Sequence, residues 1–503
     1  MLITLIRREL LNNLMTFRFA AATFIMLLLV VANTFVLIND YESRLASHNT
    51  SVNMHKRQLQ ATNTYSAGEI RIDRPPNPLS IFNVGYDKQL GNEVRITHLY
   101  VPSLWDAGMH GSSNPFMDMF ASMDIIFIFE VILSLLALIF AYDALAGEYE
   151  NGTLRLVLTH PVRRGKILVA KYVSAMLCLI VPLLISLLLS LILLTTSTSI
   201  SLDTDDFLRI GGIILTSIIY LSIFYLIGLL ISAVTRRTST ALMLSMFVWG
   251  FLILVYPNVI LAVIPQHEAP QERRTSAYDK IKQMWKEFDR ERRRYLATDD
   301  FPGEDWGYEL RGWGFRSSKF ILLGDAHTLF YKCRSVMNFT GFNDEDEYKM
   351  PHARKHFRYL GPRIIDTAEK TWLVREPALE DIYIQPANKE RIWLKLSPVG
   401  LYDAATKTWA GTDVRGIRDF FHAARQYRKQ VNDFFLDTDV FGSRQWFSSD
   451  KGAADWSDLP HFAYQRVDSY TNAKRALSDV CLLLMINVVL FIIIFLIFVK
   501  SEV

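Results

Sequence analysis

Stretches of about 20 apolar, uncharged residues alternate along the chain with long segments rich in charged side chains. A run of that length and composition is typical of a helix that crosses the hydrocarbon core of a bilayer. Six spans are predicted, at 18–38, 124–142, 172–196, 210–235, 239–264 and 480–499. The second is the least uniform, with Asp124 at its edge and Glu130 inside it. The pattern predicts an all-α membrane domain with six transmembrane helices.

The first span resembles a secretory signal peptide, because Arg7 and Arg8 precede its apolar run. The apolar core of a signal peptide is about 7–15 residues long, whereas this run extends from Phe19 to Ile38. We therefore expect an uncleaved span. Residues 1–17 mix apolar and charged positions, which favours an amphipathic helix on the inner membrane surface over a poorly ordered tail.

Lys and Arg side chains cluster in the short loops on one side of the predicted spans. They are Arg7, Arg8, Arg155, Arg163, Arg164, Lys166, Lys171, Arg236, Arg237 and Lys500. The short loop on the other side, 197–209, contains three Asp residues and no Lys or Arg before Phe207. Because positive charge stays on the cytoplasmic side, both termini are predicted in the cytoplasm of a bacterial cell with the chain in its inner membrane.

This topology divides the rest of the chain into cytoplasmic and extracytoplasmic segments. The cytoplasmic ones are 143–171, the turn 236–238 and the tail 500–503, and the large extracytoplasmic ones are 39–123 and 265–479. The last two predict one extracytoplasmic domain, mainly helical and α+β, built from two insertions. Helical apolar stripes begin at Tyr278 and Ile417, alternation in Glu93–Val101 predicts a strand, and Pro377–Val399 is predicted as loops and short strands.

Composition excludes several classes of function. The formal net charge of +3 is not that of a nucleic-acid-binding protein. The three cysteines form neither a CxxC metal signature nor a disulfide framework. His352 and His356 are four residues apart but lack an accompanying carboxylate signature, so we expect surface histidines and no metal site. No sequence signature of a catalytic site is evident.

The segment from Gly147 to Lys166 carries the most information. Gly147 and Gly152-Thr153 have the glycine spacing of a phosphate-binding loop, but Thr153 stands where a Lys must reach the phosphates, so ATP hydrolysis by this chain is excluded. The pattern instead predicts a short helix, with Thr153 as N-cap and Pro161 as its end. Such a helix between two spans suits contact with a cytoplasmic partner.

This segment resembles the cytoplasmic loop of ABC-2 type permeases, in the branch associated with multi-copper enzyme maturation. The residues that carry the resemblance are Glu148, Asn151, Gly152, Thr153, Leu154, Pro161, Val162, Arg164 and Lys171. Two further stretches resemble the same branch: Pro75–Gly85, with its Pro-Pro-Asn-Pro sequence, and Leu396–Arg428, with Ala410-Gly411-Thr412-Asp413.

The resemblance implies that this loop contains the coupling helix that docks on an ATPase subunit. The residues expected at that interface are Glu148, Glu150, Asn151, Gly152, Thr153, Leu154, Arg155 and Arg163. It also implies two ABC ATPase subunits, which bind ATP and Mg²⁺, and a second permease chain, identical or paralogous. No cofactor is expected in the chain itself. Membrane lipid and a periplasmic or accessory protein are the other expected partners.

Three residues are candidates for a translocation path. Glu130 is a carboxylate within a span, which is costly unless it faces a cavity, a partner or the hydrated interface. Tyr256-Pro257 interrupts the fifth span, and the piece after it is a candidate re-entrant segment. The function expected is the permease subunit of an ATP-driven exporter. The alternatives are a complex that does mechanical work on a periplasmic partner and a membrane-embedded enzyme.

Overall fold

The computed structural model describes residues 2–107, 123–152, 164–263, 271–298, 350–381 and 385–500. Within this part of the chain, six helices are long and apolar enough to cross a membrane. They occupy Phe19–Gln60, Ile125–Glu150, Arg164–Thr196, Thr204–Val234, Thr238–Ile260 and Ser469–Phe498. The prediction of six candidate membrane helices is therefore confirmed.

The amino-terminal region forms two helices, α1 (Leu2–Leu14) and α2 (Phe17–Gln60). Thr16 caps α2 by accepting a hydrogen bond from the Phe19 amide. With 44 residues at 1.5 Å each, α2 is about 66 Å long, roughly twice the thickness of the hydrocarbon core. The same rigid helix therefore forms the first candidate span and continues beyond the apolar run into the polar region.

The second candidate span is built from α3 (Ile125–Ile128), a π-helical turn at Phe129–Leu133 and α4 (Ser134–Ala141), with a short helix α5 (Ala146–Glu150) after it. Asp124 caps α3 by accepting a hydrogen bond of 2.7 Å from the Phe127 amide. A π turn inserts one extra residue into the ladder and often marks a functional position. Glu130 lies in this turn.

The next spans are α6 (Arg164–Thr196), α7 (Thr204–Val234) and α8 (Thr238–Gly250). A second π turn, Phe251–Val255, leads from α8 into α9 (Tyr256–Val263). The share of buried residues is highest in α7, which packs against α4, α6 and α8 and against two later helices, α13 (Pro398–Ala410) and α15 (Ser469–Lys500). Helix α7 is therefore the centre of the described membrane domain.

The polar segments contribute a two-stranded antiparallel sheet and three long or medium helices. The strands are β1 (Ile70–Asp73) and β2 (Glu93–Ile96), paired with Ile70 opposite Ile96. The helices are α10 (Gln271–Ala297), α11 (Met350–Leu379) and α14 (Val414–Asp437). They share a core that is separate from that of the spans and rich in aromatic side chains: Phe357, Phe420, Phe421, Phe435, Phe441 and Trp446. The expectation of a mainly helical extra domain is confirmed.

One expectation for this domain is wrong. The stretch Pro377–Val399 was expected to form loops and short strands, but Gln385–Leu394 is a helix, α12. Apart from Pro386, this segment consists largely of good helix formers, and a Pro near the first turn of a helix removes no hydrogen bond. Helix α11 also continues through Pro362 and Pro377. The prolines in this stretch were therefore the reason for the wrong prediction of loops and short strands.

Helix α13 (Pro398–Ala410) leaves the polar domain and packs on the spans. Tyr402 is fully buried and stacks on Tyr220 of α7, with ring centroids 4.1 Å apart and planes 14° apart. Its hydroxyl also forms a hydrogen bond of 2.8 Å with that of Ser217. The indole of Trp409 lies directly over Gly212 of α7.

The chain ends with α14 (Val414–Asp437) and α15 (Ser469–Lys500), of which α15 holds the sixth candidate span. Arg475, in the first turns of α15, is paired with both carboxylate oxygens of Asp419 of α14, at 2.6 and 3.0 Å. Lower in α15, Asn487 donates to the Ile219 carbonyl of α7 at 3.1 Å. Helices α7, α13 and α15 therefore form one packed unit.

Adjacent glycines of α7 test the contact between α13 and the spans. A Cβ at Gly212 would lie 2.4 Å from the Trp409 ring, whereas a Cβ at Gly211 meets nothing within 4 Å. We expect Gly212→Ala to destabilise the protein by about 1–3 kcal/mol, because overpacking forces the indole to move. Gly211→Ala, the matched control, should leave the melting temperature in detergent unchanged or slightly higher. Equal losses in both variants would contradict this packing.

Candidate coupling site and outer junction

The short helix α5 is capped by a side chain from another helix. The hydroxyl of Ser232, buried in α7, accepts hydrogen bonds from the amides of Leu145 and Ala146 at 3.0 and 2.9 Å. The first amides of a helix have no partner within the helix, so an oxygen placed there satisfies them. Ser232 therefore fixes the beginning of α5 on α7.

Glu148 attaches α5 to α6. Its carboxylate lies 2.7 Å from the ammonium group of Lys171, which is only 6% exposed. Lys171 also lies 3.5 Å from Glu9 of α1. A buried ammonium group is tolerated because it is paired. The ion pair thus ties α1, α5 and α6 together.

Glu150 attaches the end of α5 to α8. Its carboxylate accepts two hydrogen bonds from Thr238, one from the amide at 2.8 Å and one from the hydroxyl at 2.6 Å. Thr238 is the first residue of α8, where a backbone amide needs an acceptor from outside the helix. The two glutamates predicted to contact a partner are therefore engaged within the chain.

The next two residues are exposed. Asn151 ends α5, and Gly152 follows with a positive φ of 67°. A side chain at Gly152 would meet nothing within 4 Å, so its backbone conformation, not crowding, favours glycine there. The remaining predicted residues, Thr153, Leu154, Arg155 and Arg163, lie outside the described residues.

The carbonyl of Glu130 is held by two neighbouring side chains. It accepts hydrogen bonds from Tyr220 of α7 at 3.1 Å and from Ser134 at 2.5 Å. The indole of Trp249 in α8 donates to Ser134 at 3.0 Å. Three spans therefore converge on the π turn that carries Glu130.

Asp124, Asp403 and Lys407 are charged residues in the neighbourhood of the Glu130 carboxylate. Asp403 and Lys407 form an ion pair of 2.7 Å one turn apart on α13. Sequence reasoning did not connect them with Glu130, because nothing local indicates that α13 packs on the spans.

The other residues predicted for a translocation path lie at the end of the fifth span. The hydroxyl of Tyr256 donates to the Trp393 carbonyl of α12 at 2.6 Å. Pro257 is the second residue of α9, a position at which proline is well tolerated. The hydrogen bond of Tyr256 is to α12, whereas the hydrogen bonds around the π turn that contains Glu130 are to α7 and α8.

The two stretches singled out in the sequence within the polar segments meet in what we name the outer junction, after the extracytoplasmic side that the sequence predicts for them. Asn77, in the Pro-Pro-Asn-Pro sequence, donates to the Ala410 carbonyl at 2.8 Å. Asn83 donates to the Thr406 hydroxyl at 3.0 Å, and the Tyr86 amide donates to the Thr412 carbonyl at 2.8 Å. We define the outer junction as residues 74–87 together with 406–413. More than 300 residues separate the partners of each hydrogen bond.

Asp87 is the charged centre of the outer junction. Its buried carboxylate lies 2.5 Å from Arg74 and 2.8 Å from Arg44, and it accepts a hydrogen bond from the Asn77 amide. Burial alone would raise the pKa of Asp87, but the two guanidinium groups outweigh it and hold the pKa below its usual value. This stabilisation is therefore present at neutral pH and is lost as the pH falls through the lowered pKa.

One of the two histidines predicted to lie at the surface is buried. His356 of α11 is fully buried, with Phe357 and Tyr295 of α10 as aromatic neighbours, so its prediction as a surface histidine is wrong. Its place on the inner face of an amphipathic helix explains the burial. Among the described residues, no group of three or more His, Cys, Asp or Glu side chains could hold a metal ion.

These features define a multi-pass membrane subunit with no catalytic site expected. A sequence profile described as "ABC-2 family transporter protein" matches residues 3–288, more than half of the chain. The chain therefore belongs to the ABC-2 family of transporter proteins, as a non-catalytic permease subunit. A second profile, described as "Domain of unknown function (DUF3526)", matches residues 385–465, which include α12, α13 and α14.

The chain is similar to two curated relatives. It is 33% identical over 136 residues to the probable ABC transporter permease protein NosY of Stutzerimonas stutzeri. It is 31% identical over 136 residues to the protein of the same description from Pseudomonas aeruginosa. In both cases the match covers 26% of this chain and 48% of the relative, so the chain spans about half the length of the curated relatives it matches.

Ser232 provides a test of how α5 is held. We expect Ser232→Ala to accelerate hydrogen–deuterium exchange of the Leu145 and Ala146 amides about tenfold or more, because a buried donor without an acceptor costs about 1–3 kcal/mol. Ser245→Ala in α8 is the matched control, since its buried hydroxyl has no hydrogen-bond partner among the described residues. Unchanged exchange at 145 and 146 in the Ser232 variant would show that α5 is held by other contacts.

Proposed function

We propose that this chain couples ATP hydrolysis by two partner ATPase subunits to substrate movement, as an exporter, across a bacterial inner membrane. The observation that carries the proposal is the attachment of α5 to three membrane helices at once. Lys171 holds it on α6, Ser232 on α7 and Thr238 on α8. A displacement of α5 would therefore reach three spans together.

The residues proposed to contact the ATPase follow α5 in the sequence, five of them consecutively from Asn151 to Arg155 and the sixth at Arg163. Asn151 and Gly152 are exposed, and Thr153, Leu154, Arg155 and Arg163 follow in the sequence. In this proposal Glu148 and Glu150 act as positioning residues, since their carboxylates hold α5 in place. ATP-driven closure of the partner subunits would push on Asn151 and the residues that follow it, and the spans would change state as packed bodies.

Assembly follows from the same proposal. Six candidate spans rarely enclose a path, so the working unit would contain two permease chains, identical or paralogous, with two ATPase subunits. The likeness to two probable ABC transporter permease proteins supports a role as one subunit of a larger complex. In this arrangement both termini lie in the cytoplasm and the polar domain lies in the periplasm.

A second function is supported by the connections between the polar domain and the spans. Helix α2 runs from the first span into the polar region, and α13 leaves the polar domain to pack against α7 and α15. Movements of the spans would therefore reach the polar domain through packed helices. This favours, as the alternative, a complex that performs mechanical work on a periplasmic partner without moving solute.

The orientation can be measured by cysteine labelling. We expect Asn151→Cys, in a cysteine-free background, to react with a membrane-impermeant maleimide in inverted vesicles and not in intact spheroplasts. Ser199→Cys, exposed in the loop between α6 and α7, should show the reverse, because the Lys and Arg distribution places the two loops on opposite sides. The opposite labelling pattern would contradict the proposed orientation.

The ATPase interface can be tested by co-purification of the tagged chain from its native host. We expect a stoichiometric ATPase subunit, reduced about tenfold or more by Asn151→Arg combined with Leu154→Asp. These changes spare Glu148 and Glu150, so the attachment of α5 to the spans is retained. Ser199→Arg, in the loop at the other end of the spans, is the control and should retain the ATPase. Purification of a stable chain without any ATPase would contradict the proposal.

A further inference from the structure

A cavity of about 320 Å³ lies where the outer ends of the spans meet the polar domain. Its lining comes from several elements and includes Tyr41, Arg74, Asn77, Arg209, Gly411 and Arg466. Cavities of this size are large enough to hold a small ligand. The outer junction forms one wall, and the beginning of α7 forms another.

Two carboxylates at the cavity, Asp419 of the lining and Asp206 beside it, are already paired with arginines, whereas Asp203 of the lining caps α7 by accepting a hydrogen bond of 2.8 Å from the Asp206 amide. Asp419 is held by Arg475 through two hydrogen bonds, at 2.6 and 3.0 Å. Asp206 accepts two hydrogen bonds from Arg466, at 2.8 and 2.9 Å. Because Asp419 and Asp206 are each neutralised by an arginine, they leave little negative charge to compensate another buried cation.

Arg209 is the cation with the least compensation. It is 2% exposed and lines the cavity from α7. Its guanidinium donates to the Val467 carbonyl, and its Nε has no hydrogen-bond partner among the described residues. The carboxylate of Asp205 lies 3.8 Å away and accepts two hydrogen bonds from Ser469, at 2.8 and 3.0 Å.

The Nε of Arg209 is closed to solvent, whereas its Nη1 lies 3.8 Å from the position that a Cβ at Gly411 of the lining would take, so Nη1 is the group that a ligand in the cavity would meet. A buried guanidinium with an unused donor is costly unless an acceptor completes it. An arginine presents its N–H groups in a planar fork that matches the oxygens of a phosphate. Asn472 and Tyr464 add polar groups to the same lining. We propose that this cavity binds a phosphate group, either free or as the headgroup of an anionic phospholipid, with Arg209 as the main ligand.

The location allows both sources of phosphate. The cavity lies between the beginning of α7 and the polar segment that follows the apolar run of α2, which is where lipid headgroups would be if these helices cross the membrane. It is also lined by residues of the polar domain, such as Gly416, from which a free anion could enter. This proposal does not depend on the ATPase contact or on the direction of transport.

The test uses the full chain and two probes. In lipid-free detergent, inorganic phosphate is titrated against chloride at constant ionic strength, and the melting temperature reports binding. In nanodiscs, phosphatidylglycerol is added to phosphatidylcholine, and native mass spectrometry reports retained lipid. Stabilisation by phosphate alone assigns a free anion, and selective retention of phosphatidylglycerol assigns a headgroup. If neither probe binds, the proposal is overturned.

Variants then locate the binding. We expect Arg209→Gln to weaken binding of the active probe at least about tenfold, because the main ligand is lost. Arg290→Gln, at an exposed arginine of α10, should leave binding unchanged. Undiminished binding by a folded Arg209→Gln variant would overturn the proposal.

A second pair of variants avoids the buried charge, in case Arg209→Gln does not fold. Ser201 is exposed and lines the cavity, whereas Ser199 is exposed in the same loop outside the lining. Ser201→Trp should fill the entrance and weaken binding about tenfold or more, while Ser199→Trp should not. Equal binding by both variants would overturn the assignment to this cavity.

Discussion

Helix α13 is buried against α7 and joins the polar domain to the spans. Tyr402 stacks on Tyr220, and Trp409 packs over Gly212. These contacts bring a helix of the polar domain into the core of the spans. Aromatic pairs of this kind combine a large buried area with a defined geometry. Because α13 also packs on α15, side chains of α7, α13 and α15 form a small hydrophobic core at this point, separate from the aromatic core of the polar domain. The charged groups around Glu130 and the outer junction both take their positions from this contact.

Polar contacts at the two ends of the spans differ in kind. At the α5 end, small polar groups and one ion pair attach a short helix to three spans, and Asn151 and Gly152 remain exposed. At the outer junction, buried arginines and aspartates form a dense network around Asp87. Removing one member of a buried pair costs about 3–5 kcal/mol, because the other charge is left uncompensated. One end is therefore suited to receive a partner, and the other to hold two domains in a fixed relation.

This division agrees with what a permease of the ABC-2 family has to do. Such a subunit is non-catalytic, and in the proposed function its residues act by transmitting displacement between packed bodies. The side-chain attachments of α5 and the packing of α7, α13 and α15 are the connections available for that purpose. Arg209 lies at the far end of the same central helix, which places the proposed phosphate site where α7 meets the polar domain.

The number of candidate spans and the amphipathic helices at Tyr278 and Ile417 could be predicted from the sequence, because they depend on the period and length of local apolar patterns. It also singled out the two stretches that form the outer junction, although not their contact. The roles of Glu148 and Glu150 in holding α5, and the packing of α13 in the core of the spans, became visible in the folded structure alone. The roles of Ser232 and Thr238 could not be predicted from the sequence, because a small hydroxyl side chain in an apolar segment is compatible with many structural roles. Contacts such as that between Asn77 and Ala410 join residues far apart in the chain, and a single sequence records no distance between them.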